Sequence, residues 1–386
     1  MSSERVLLVT GPATGGVVGH VAGLASGLSG LGWKVAVFTS PVTATRLPGA
    51  DSGVRVVCDW PQGRHNLAGG LRTLRRMIGE ATVVHAHGHQ AGLLTVLAAA
   101  TLKNPPPVIV TWHNAVLGAG PKRRALAVAE KIQAQRADLV TGASSDLVAR
   151  ARELGARDPE LTIVSAEQLD QGASCTADET DLGPRRGPLV LTVSRIAPQK
   201  RLDVLVDAAA LLSADVHGVQ WAVAGDGDLD LLDELELRRN RVKAPVTFLG
   251  RREDVPSLLR QADVFALSSA WEARPLAVQE AMAAGVPVVA TAVGGVPDLL
   301  ADTGELVEPG SAPALAAAVR RLLTDPVHAG DLAERARTRL AILPTEEEIT
   351  QGWSDRYRLL IAASDRGSRK GIFRLPSGRT GRVGPR

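Results

Sequence analysis

Short runs of β-branched residues alternate with Ala/Leu-rich amphipathic stretches along almost the whole chain. Strands and helices that alternate in this way pack as repeated β-α units around a parallel sheet. The alternation extends over 386 residues, which is long enough for two domains of ordinary size with separate cores. The sequence therefore predicts an α/β protein with two doubly wound, Rossmann-like parallel sheets.

Twelve of the apolar runs are predicted strands. They read RVLLVTG, WKVAVFTS, VRVVCDW, TVVHAHG, PVIVTWH, ADLVTGA and LTIVSA in the first half, and PLVLTVSR, WAVAGDG, VTFLG, DVFALSS and VPVVAT in the second. The clearest helix covers residues 17–31, where apolar residues follow helical spacing. Four glycines in this helix lower its propensity, so we expect close packing or the approach of a ligand to explain them.

A polar stretch with Gly and Pro but no periodicity, residues 171–188, is typical of a linker. We place the domain boundary there, between a first domain over 1–183 and a second over 184–345. Further helices are expected at residues 201–213, 228–242, 254–262, 276–285, 311–325 and 349–363, the last within a segment 346–364. Residues 365–386 carry seven Lys or Arg and one Asp, which predicts a basic disordered tail.

Composition argues against several classes of protein. The two cysteines, Cys58 and Cys175, form no CxxC and have no metal-ligand spacing around them, so neither a disulfide framework nor a zinc site is indicated. From the opening residues we expect no signal peptide, and no apolar run approaches the roughly 20 residues that span a membrane. We therefore expect a cytoplasmic protein. The net charge of +3 comes almost entirely from the tail, and no specific nucleic-acid partner is expected.

The first βα turn carries Gly15 and Gly16 where a strand passes into a helix. Bare amides at a helix N-terminus suit a phosphate, although the geometry of a tight turn alone also explains glycines there. The spacing is not GxGxxG, and no acidic residue ends the second strand, which argues against an ordinary NAD site.

Six of the eight histidines precede residue 114, and three form the run HAHGH at residues 85–89. Alternate residues of a strand point the same way, so His85 and His87 are expected to share a face. No nearby carboxylate or cysteine completes a metal site, so polar roles lining a cleft are favoured over metal binding. His113 ends a strand, where an imidazole can donate to a sugar hydroxyl or instead bond a loop carbonyl.

In the second half, Arg195 and Lys200 follow a strand on one loop. A planar fork and a point charge can converge on a diphosphate whose negative charge grows as it leaves. A solvated basic turn is the alternative. The next strand ends in AGDGD, which includes Gly225 and is by itself only a common turn sequence.

The stretch WEARPLAVQEAMAAG holds Glu272 and Glu280 among mostly apolar residues. If a helix begins near Leu276, the neighbours of Glu280 at i±3 and i±4 are all apolar. A carboxylate in such a place can accept both hydroxyls of a ribose, and the backbone before the helix can meet phosphate or sugar oxygens. Glu272 then lies in the loop over the ligand.

The order of these motifs is that of a known family. GG with a following His, TWHN, SRxxxxK, GDG, FLG, Glu-x7-Glu, GGVPDLL and GELVEPG together resemble the retaining glycosyltransferases of family 4, also called glycosyltransferase group 1. The resemblance extends over residues 5–363. It implies the GT-B fold, in which two Rossmann-like domains face a central cleft, with the acceptor on 1–183, the nucleotide sugar on 184–345 and the helix of 346–364 crossing back onto the first domain.

The resemblance also implies a role for each motif. Glu280 would hold the ribose, Arg195 and Lys200 would bind the diphosphate, Glu272 would contact hydroxyls of the donor sugar, and His113 would lie near the reacting centre. The remaining nucleotide-sugar contacts would be Gly15, Gly16, Gly225, Arg251 after FLG, Ala273, Arg274, Pro275 and Leu276, with His20 and His87 on the acceptor side.

By this resemblance the acceptor attacks the donor sugar from the front face, and the leaving phosphate takes its proton. No cofactor and no obligatory metal are expected, and the two glutamates are not the acid/base pair of a glycosidase. The chain departs from the family in two places. Ala273 and Arg274 replace the usual Gly-Phe, and VSAEQLDQGAS replaces the usual Pro-Asn-Gly-Val-Asp segment. Glu280 and the basic pair are intact, so activity is expected.

Alternative functions are a nucleotide-sugar epimerase of the GT-B type and a non-catalytic nucleotide-sugar-binding homologue. The acceptor classes to consider are a cell-envelope lipid, a glycan and a small metabolite. Residues 120–136 carry five Lys or Arg and one Glu on a predicted helix, which suggests contact with an anionic membrane surface and a peripheral location. A solvated charged face is the simpler interpretation of this helix.

Overall fold

The computed structural model describes residues 4–13, 16–61, 66–118, 120–163 and 186–365. Two parallel sheets are present in this part of the chain, one of seven strands in the order β3-β2-β1-β4-β5-β6-β7 and one of six in the order β10-β9-β8-β11-β12-β13. The strands of the first sheet are Arg5–Thr10 (β1), Lys34–Phe38 (β2), Arg55–Val57 (β3), Val83–His87 (β4), Val108–Trp112 (β5), Leu139–Gly142 (β6) and Glu160–Leu161 (β7). Those of the second are Leu189–Val193 (β8), Gln220–Ala224 (β9), Val246–Gly250 (β10), Val264–Leu267 (β11), Val288–Thr291 (β12) and Glu305–Val307 (β13).

Helices connect these strands and cover both faces of each sheet. In the first half they are Gly16–Gly30 (α1), Pro41–Ala44 (α2), Leu67–Glu80 (α3), His89–Ala99 (α4), Gly120–Arg136 (α5) and Ser145–Glu153 (α6). In the second half they are Leu202–Asp215 (α7), Leu229–Val242 (α8), Val255–Gln261 (α9), Leu276–Ala284 (α10), Val296–Leu300 (α11), Ala312–Thr324 (α12), Pro326–Ala341 (α13) and Glu346–Asp365 (α14).

The predicted fold class is confirmed, because both sheets are parallel, doubly wound and covered by helices. Eleven of the twelve predicted strands are present. The twelfth, LTIVSA, shares only Leu161 with the two-residue strand β7, and its part beyond residue 163 lies outside the described residues. The strand β13 and the helix α13 were not predicted. β13 is three residues long, too short to show a period, and α13 mixes charged residues with a narrow stripe of buried Ala and Leu.

Two glycines of α1, Gly23 and Gly27, are explained by the last helix of the chain. A Cβ on Gly23 would lie 2.9 Å from the Glu346 carboxylate, and one on Gly27 would lie 2.6 Å from Thr350 Oγ1. The small residues therefore let α14 approach α1 closely. Close packing, one of the two explanations expected from the sequence, accounts for these positions.

Replacing Gly27 by alanine is expected to lower the free energy of unfolding by about 1–3 kcal/mol, because the new methyl group overlaps Thr350. Gly30→Ala is the matched control, since nothing lies within 4 Å of a Cβ there and the better helix propensity adds up to about 1 kcal/mol. Urea unfolding of both variants measures the difference. Equal effects of the two substitutions would show that the contact between α1 and α14 is loose.

α14 is part of the core of the first sheet, although it follows the second in sequence. The indole of Trp33 donates to Ser354 Oγ at 2.9 Å, and Trp353 and Tyr357 are buried in the cluster that contains β1 and β2. Arg358 forms a bidentate ion pair with Glu4.

Several predicted features lie outside the described residues. These are the domain boundary at 183/184, the replacement segment after residue 163, Gly15, Cys175 and the tail from residue 366. Cys58 is exposed and forms no disulfide. Across the described ranges, none of the helices combines the length and the apolar character that crossing a membrane requires.

Candidate active site

Most of the predicted site residues lie at the carboxyl edges of the two sheets, near the points where the strand order reverses. In the second sheet the order reverses between β8 and β11. Arg195 and Lys200 follow β8, and Glu272 follows β11. Open α/β sheets bind ligands at such switch points, because the loops after the two central strands leave the sheet in opposite directions.

Lys200 and Glu272 contact each other directly. Lys200 Nζ lies 2.5 Å from Glu272 Oε1, and Ser269 Oγ donates to the same oxygen at 2.6 Å. Glu272 is only 7% exposed, so its charge is balanced inside the protein rather than by water. The sequence predicted Lys200 as a partner of Arg195, and it did not predict the pairing with Glu272.

Further hydrogen bonds join the loops after β8 and β11. Gln199 accepts from the amide of Ala270 at 2.8 Å, and its side chain donates to the carbonyl of Trp271 at 2.5 Å. Ser268 Oγ donates to the carbonyl of Lys200 at 2.9 Å. The position of Glu272 is therefore fixed through backbone as well as side-chain contacts.

Arg195 and Arg251 are exposed at the same edge of the second sheet. Neither guanidinium forms a hydrogen bond or an ion pair with another described residue. Gly225 follows β9, and a Cβ on it would lie 2.0 Å from the Ser194 carbonyl. The glycine is thus required by the backbone that leads into Arg195, whatever else contacts it.

Glu280 lies half-buried on α10. Burial raises the pKa of its carboxyl above the ordinary value of 4.5. The described part of the chain supplies this carboxylate with no hydrogen-bond donor or cation. A partly desolvated carboxylate without a protein partner is suited to accept hydrogen bonds from a ligand.

Arg274 occupies the loop just before α10, together with Ala273 and Pro275. The pKa of Arg274 is lowered to about 10, mainly by burial and also by the nearby Arg339, with Asp298 opposing the shift. Its Nε is buried without a hydrogen-bond partner. The substitution that the sequence identified therefore places a strongly desolvated cation in the loop between β11 and α10.

Three imidazoles meet at the carboxyl edge of the first sheet. The ring centroids of His20, His87 and His113 are 5.4–5.7 Å apart, and His87 Nδ1 lies 3.1 Å from His113 Nε2. Both ring nitrogens of His20 and Nε2 of His87 are buried without a partner. Nowhere in the described ranges do three or more His, Cys, Asp or Glu side chains form a group that could hold a metal.

His85 shares a face with His87, as the strand period predicted, with ring centroids 4.1 Å apart. The expectation that His85 lines the cleft is wrong. Its Nδ1 lies 2.7 Å from the Tyr357 hydroxyl and its Nε2 lies 2.7 Å from Thr111 Oγ1, so α14 and β5 enclose it in the core.

Two threonines at the edge of the first sheet were not predicted as site residues from the sequence. Thr10 ends β1 and Thr39 follows β2, and the hydroxyl of each is buried without a partner. Gly16 begins α1 near the same edge, with nothing within 4 Å of a Cβ built on it. The rule that polar residues at strand ends face the ligand would have identified both threonines.

The free energy of unfolding is expected to fall as pH drops below the ordinary histidine value of 6.5, because burial lowers the pKa of His20 to about 4 and those of His85, His87 and His113 well below 6.5. Below pH 6.5 these histidines bind protons in the unfolded chain and stay neutral in the folded chain. The free energy of unfolding should therefore fall by about 1.4 kcal/mol per pH unit for each histidine. His20→Gln should reduce this slope, whereas His217→Gln, at an exposed position, should not. Urea unfolding between about pH 7 and about pH 5 tests this, and identical slopes for His20→Gln and wild type would contradict it.

Two family models match the chain. One, described as a glycosyl transferase 4-like domain, matches residues 15–166, and the other, described as glycosyl transferases group 1, matches residues 187–325. Phosphatidyl-myo-inositol mannosyltransferase of Mycolicibacterium smegmatis is 30% identical over 328 residues, which cover 81% of this chain and 82% of that protein. The α-D-kanosaminyltransferase of Streptomyces kanamyceticus is 29% identical over 292 residues, or 71% of this chain and 74% of the relative.

Among solved structures, the crystal structure of Anabaena HepE with UDP and glucose has a TM-score of 0.77 at 21% identity. The similarity covers 92% of this chain and 100% of HepE. At that identity the likeness concerns the fold, and it extends across both sheets.

Proposed function

The chain belongs to the group 1, family 4-type glycosyltransferases, which act on nucleotide-sugar donors, and from this premise we propose that it transfers a sugar with retention of anomeric configuration. The contact between Lys200 and Glu272 is the observation that carries the proposal. It brings a cation for the diphosphate and a carboxylate for the sugar hydroxyls to the same end of the second sheet. A donor bound there has its phosphate and its sugar beside these two groups.

The surroundings of Glu272 favour a binding role over nucleophilic or acid catalysis. Its Oε1 already accepts hydrogen bonds from Lys200 and Ser269, so the lone pairs of this oxygen are engaged and it is poorly placed to attack the donor sugar. Lys200 and the exposed Arg195 are then available to balance the charge that develops on the leaving diphosphate. In the proposed reaction the acceptor hydroxyl attacks from the face that the diphosphate leaves, and the diphosphate accepts its proton.

We propose that Glu280 binds the ribose hydroxyls, while the backbone from Ala273 to Leu276 and the loop residues Gly225 and Arg251 complete the nucleotide-sugar contacts. Gly16, at the start of α1, is proposed to approach the phosphate from the first domain, and the same contact is proposed for Gly15, which lies outside the described residues. The half-buried, unpartnered carboxylate of Glu280 supports its part of this assignment.

The acceptor is proposed to bind beside His113, His87 and His20. Burial keeps these imidazoles neutral near pH 7, and a neutral imidazole can both donate and accept a hydrogen bond. The nitrogens without partners are therefore suited to hydroxyl groups of an acceptor or of the donor sugar. In this proposal no metal is required, because Lys200 and Arg195 balance the negative charge of the diphosphate.

A panel of nucleotide sugars tests this function. Thermal shifts identify the donor that binds the folded protein, since such a ligand raises its apparent stability. The labelled donor is then incubated with candidate lipid, glycan and small-molecule acceptors, with and without EDTA. Net transfer with retained configuration supports the proposal. Conversion without an acceptor would favour an epimerase, and binding without turnover a non-catalytic homologue.

We further propose an anionic membrane surface as a partner of α5. Leu126 and Val128 are exposed on this helix beside the exposed Arg124 and Lys131, an arrangement that suits a lipid interface. Arg123 contributes less, because it pairs with the buried Glu130 at 3.5 Å. Flotation with anionic and neutral liposomes at low and high salt tests the idea, and binding that is insensitive to lipid charge would contradict it.

A further inference from the structure

Trp271 belongs to the second sheet by sequence and to the core of the first by contact. It follows β11 and immediately precedes Glu272. Its indole is 6% exposed and packs in the hydrophobic cluster of the first sheet that includes Trp112 and Leu147. A bulky side chain from the loop between β11 and α10, residues 268–275, which we call the donor loop, is thus buried in the opposite domain.

The indole is also held by a hydrogen bond. Trp271 Nε1 donates to Asp146 Oδ2 at 2.8 Å. The other oxygen of Asp146 accepts from Ser144 Oγ and from the amide of Leu147, so the first turn of α6 fixes this carboxylate. The acceptor of the indole hydrogen bond is therefore rigid, and the bond sets the position of the Trp271 ring.

A second contact joins the same turn of α6 to the next loop of the second sheet. Asp298 on α11 accepts from the amide of Ser145 at 2.7 Å and from its hydroxyl at 2.5 Å. The loop before α11 lies against the donor loop, since the amide of Gly295 donates to the carbonyl of Glu272 at 2.9 Å. A Cβ on Gly295 would lie 1.8 Å from the Ala273 carbonyl and 3.1 Å from Ser144 Cβ. The two loops and α6 are packed without space between them.

Glu272 thus lies between two anchors. Its carboxylate is held by Lys200 and Ser269 within the second domain, and the preceding side chain is held by Asp146 and the core of the first. We propose that Trp271 is a positioning residue that makes recognition of the donor sugar by Glu272 depend on the seating of the first domain. This inference rests on the proposed function in one respect, that Glu272 contacts the sugar.

A positioning role and a purely structural role predict different binding data. Glu280 and Arg195, which are proposed to bind the nucleotide, both lie in the second domain, and neither is among the described hydrogen-bond partners of Trp271. Loss of the Trp271 anchor should therefore weaken the contribution of the sugar to binding and leave that of the nucleotide unchanged. General destabilisation of the fold would affect both equally.

The experiment compares Trp271→Phe with wild type. The ligands are the nucleotide sugar that gives the largest thermal shift and the corresponding free nucleoside diphosphate. We expect Kd for the nucleoside diphosphate to change less than about twofold. Kd for the nucleotide sugar should rise about tenfold relative to it, as for a lost hydrogen bond to a charged group, so the ratio of the nucleotide-sugar Kd to the diphosphate Kd should rise about tenfold. The kcat for transfer should fall with the same variant.

Two further variants separate position from stability. Trp221→Phe removes a similar buried indole bond, to Thr192 Oγ1 at 3.1 Å, inside the second domain, and should leave the Kd ratio unchanged. Asp146→Ala should reproduce the effect of Trp271→Phe, and the two together should add little, because they remove one interaction. Asp146→Asn retains an acceptor oxygen for the indole, so its Kd ratio should be much closer to the wild-type value than that of Asp146→Ala.

If Trp271→Phe weakens binding of the nucleoside diphosphate and the nucleotide sugar equally, or changes neither, the Kd ratio is unchanged. That result would overturn this inference and leave the proposed function standing. A wild-type protein that binds no nucleotide sugar more tightly than its nucleoside diphosphate, and transfers none, would overturn the proposed function and this inference with it.

Discussion

Lys200→Ala is expected to lower kcat for sugar transfer by about 10²–10³-fold, because the variant loses a preorganised cation at the leaving diphosphate. The substitution also leaves Glu272 buried with Ser269 as its remaining partner, so the free energy of unfolding should fall as well. Steady-state kinetics with the identified donor measure the first effect, and urea unfolding measures the second.

The double variant Lys200→Ala, Glu272→Ala separates these effects. Removing both charges relieves the unpaired carboxylate and should recover part of the lost stability without recovering turnover. Lys103→Ala, at an exposed position, is the control and should change neither quantity. Recovery of kcat in the double variant would show that turnover requires neither side chain and that Lys200 only neutralises the buried charge of Glu272.

Glu280→Gln is expected to weaken binding of the nucleoside diphosphate about 10–100-fold, as for the loss of hydrogen bonds to a charged acceptor. Wild-type affinity should fall as pH drops through the raised pKa of Glu280, since the ionised form is the one that accepts from both ribose hydroxyls. Isothermal titration at several pH values measures both effects. Glu234→Gln, an exposed change on α8, should leave the affinity unchanged.

The same substitution should stabilise the ligand-free protein at neutral pH. A folded-state pKa above the ordinary value of 4.5 means that the contribution of Glu280 to stability is present below that value and is lost as pH rises through the folded pKa. Glutamine avoids this loss, so Tm at neutral pH should rise, and the difference from wild type should vanish in acid. A Tm that falls at neutral pH would show that the carboxylate has a stabilising partner.

The periodicity of the sequence was sufficient to predict the sheets and most helices, because buried parallel strands and amphipathic helices each leave a local pattern. β13 and α13 leave weaker patterns, since one is three residues long and the other presents a narrow apolar stripe among charges. Their places in the fold depend on neighbours that are distant in sequence.

The sequence was sufficient to predict which residues belong to the candidate site, but it was not sufficient to predict which of them form pairs. Arg195, Lys200 and Glu272 could be assigned to a strand edge, but the choice of Glu272 as the partner of Lys200 depends on the meeting of two loops 72 residues apart. In the sequence, Trp271 has no feature that distinguishes it from other apolar residues. Its burial in the core of the opposite domain is visible only in the folded structure. His85 and His87 share a face by period, whereas the burial of His85 follows from the arrival of Tyr357.

Because α14 packs on the first sheet, the first domain is synthesised before the second but cannot complete its fold until the last helix has been made. Trp33 is separated by 321 residues from its hydrogen-bond partner Ser354, and His85 by 272 residues from Tyr357. At a translation rate of about 5–20 residues per second, the part of the first domain around Trp33 waits roughly 15–60 s, counted from the synthesis of Trp33, for the helix that covers it. During that interval its apolar surface is open to chaperones, and the domain that is translated first is the one that cannot finish folding until nearly the whole chain has been made.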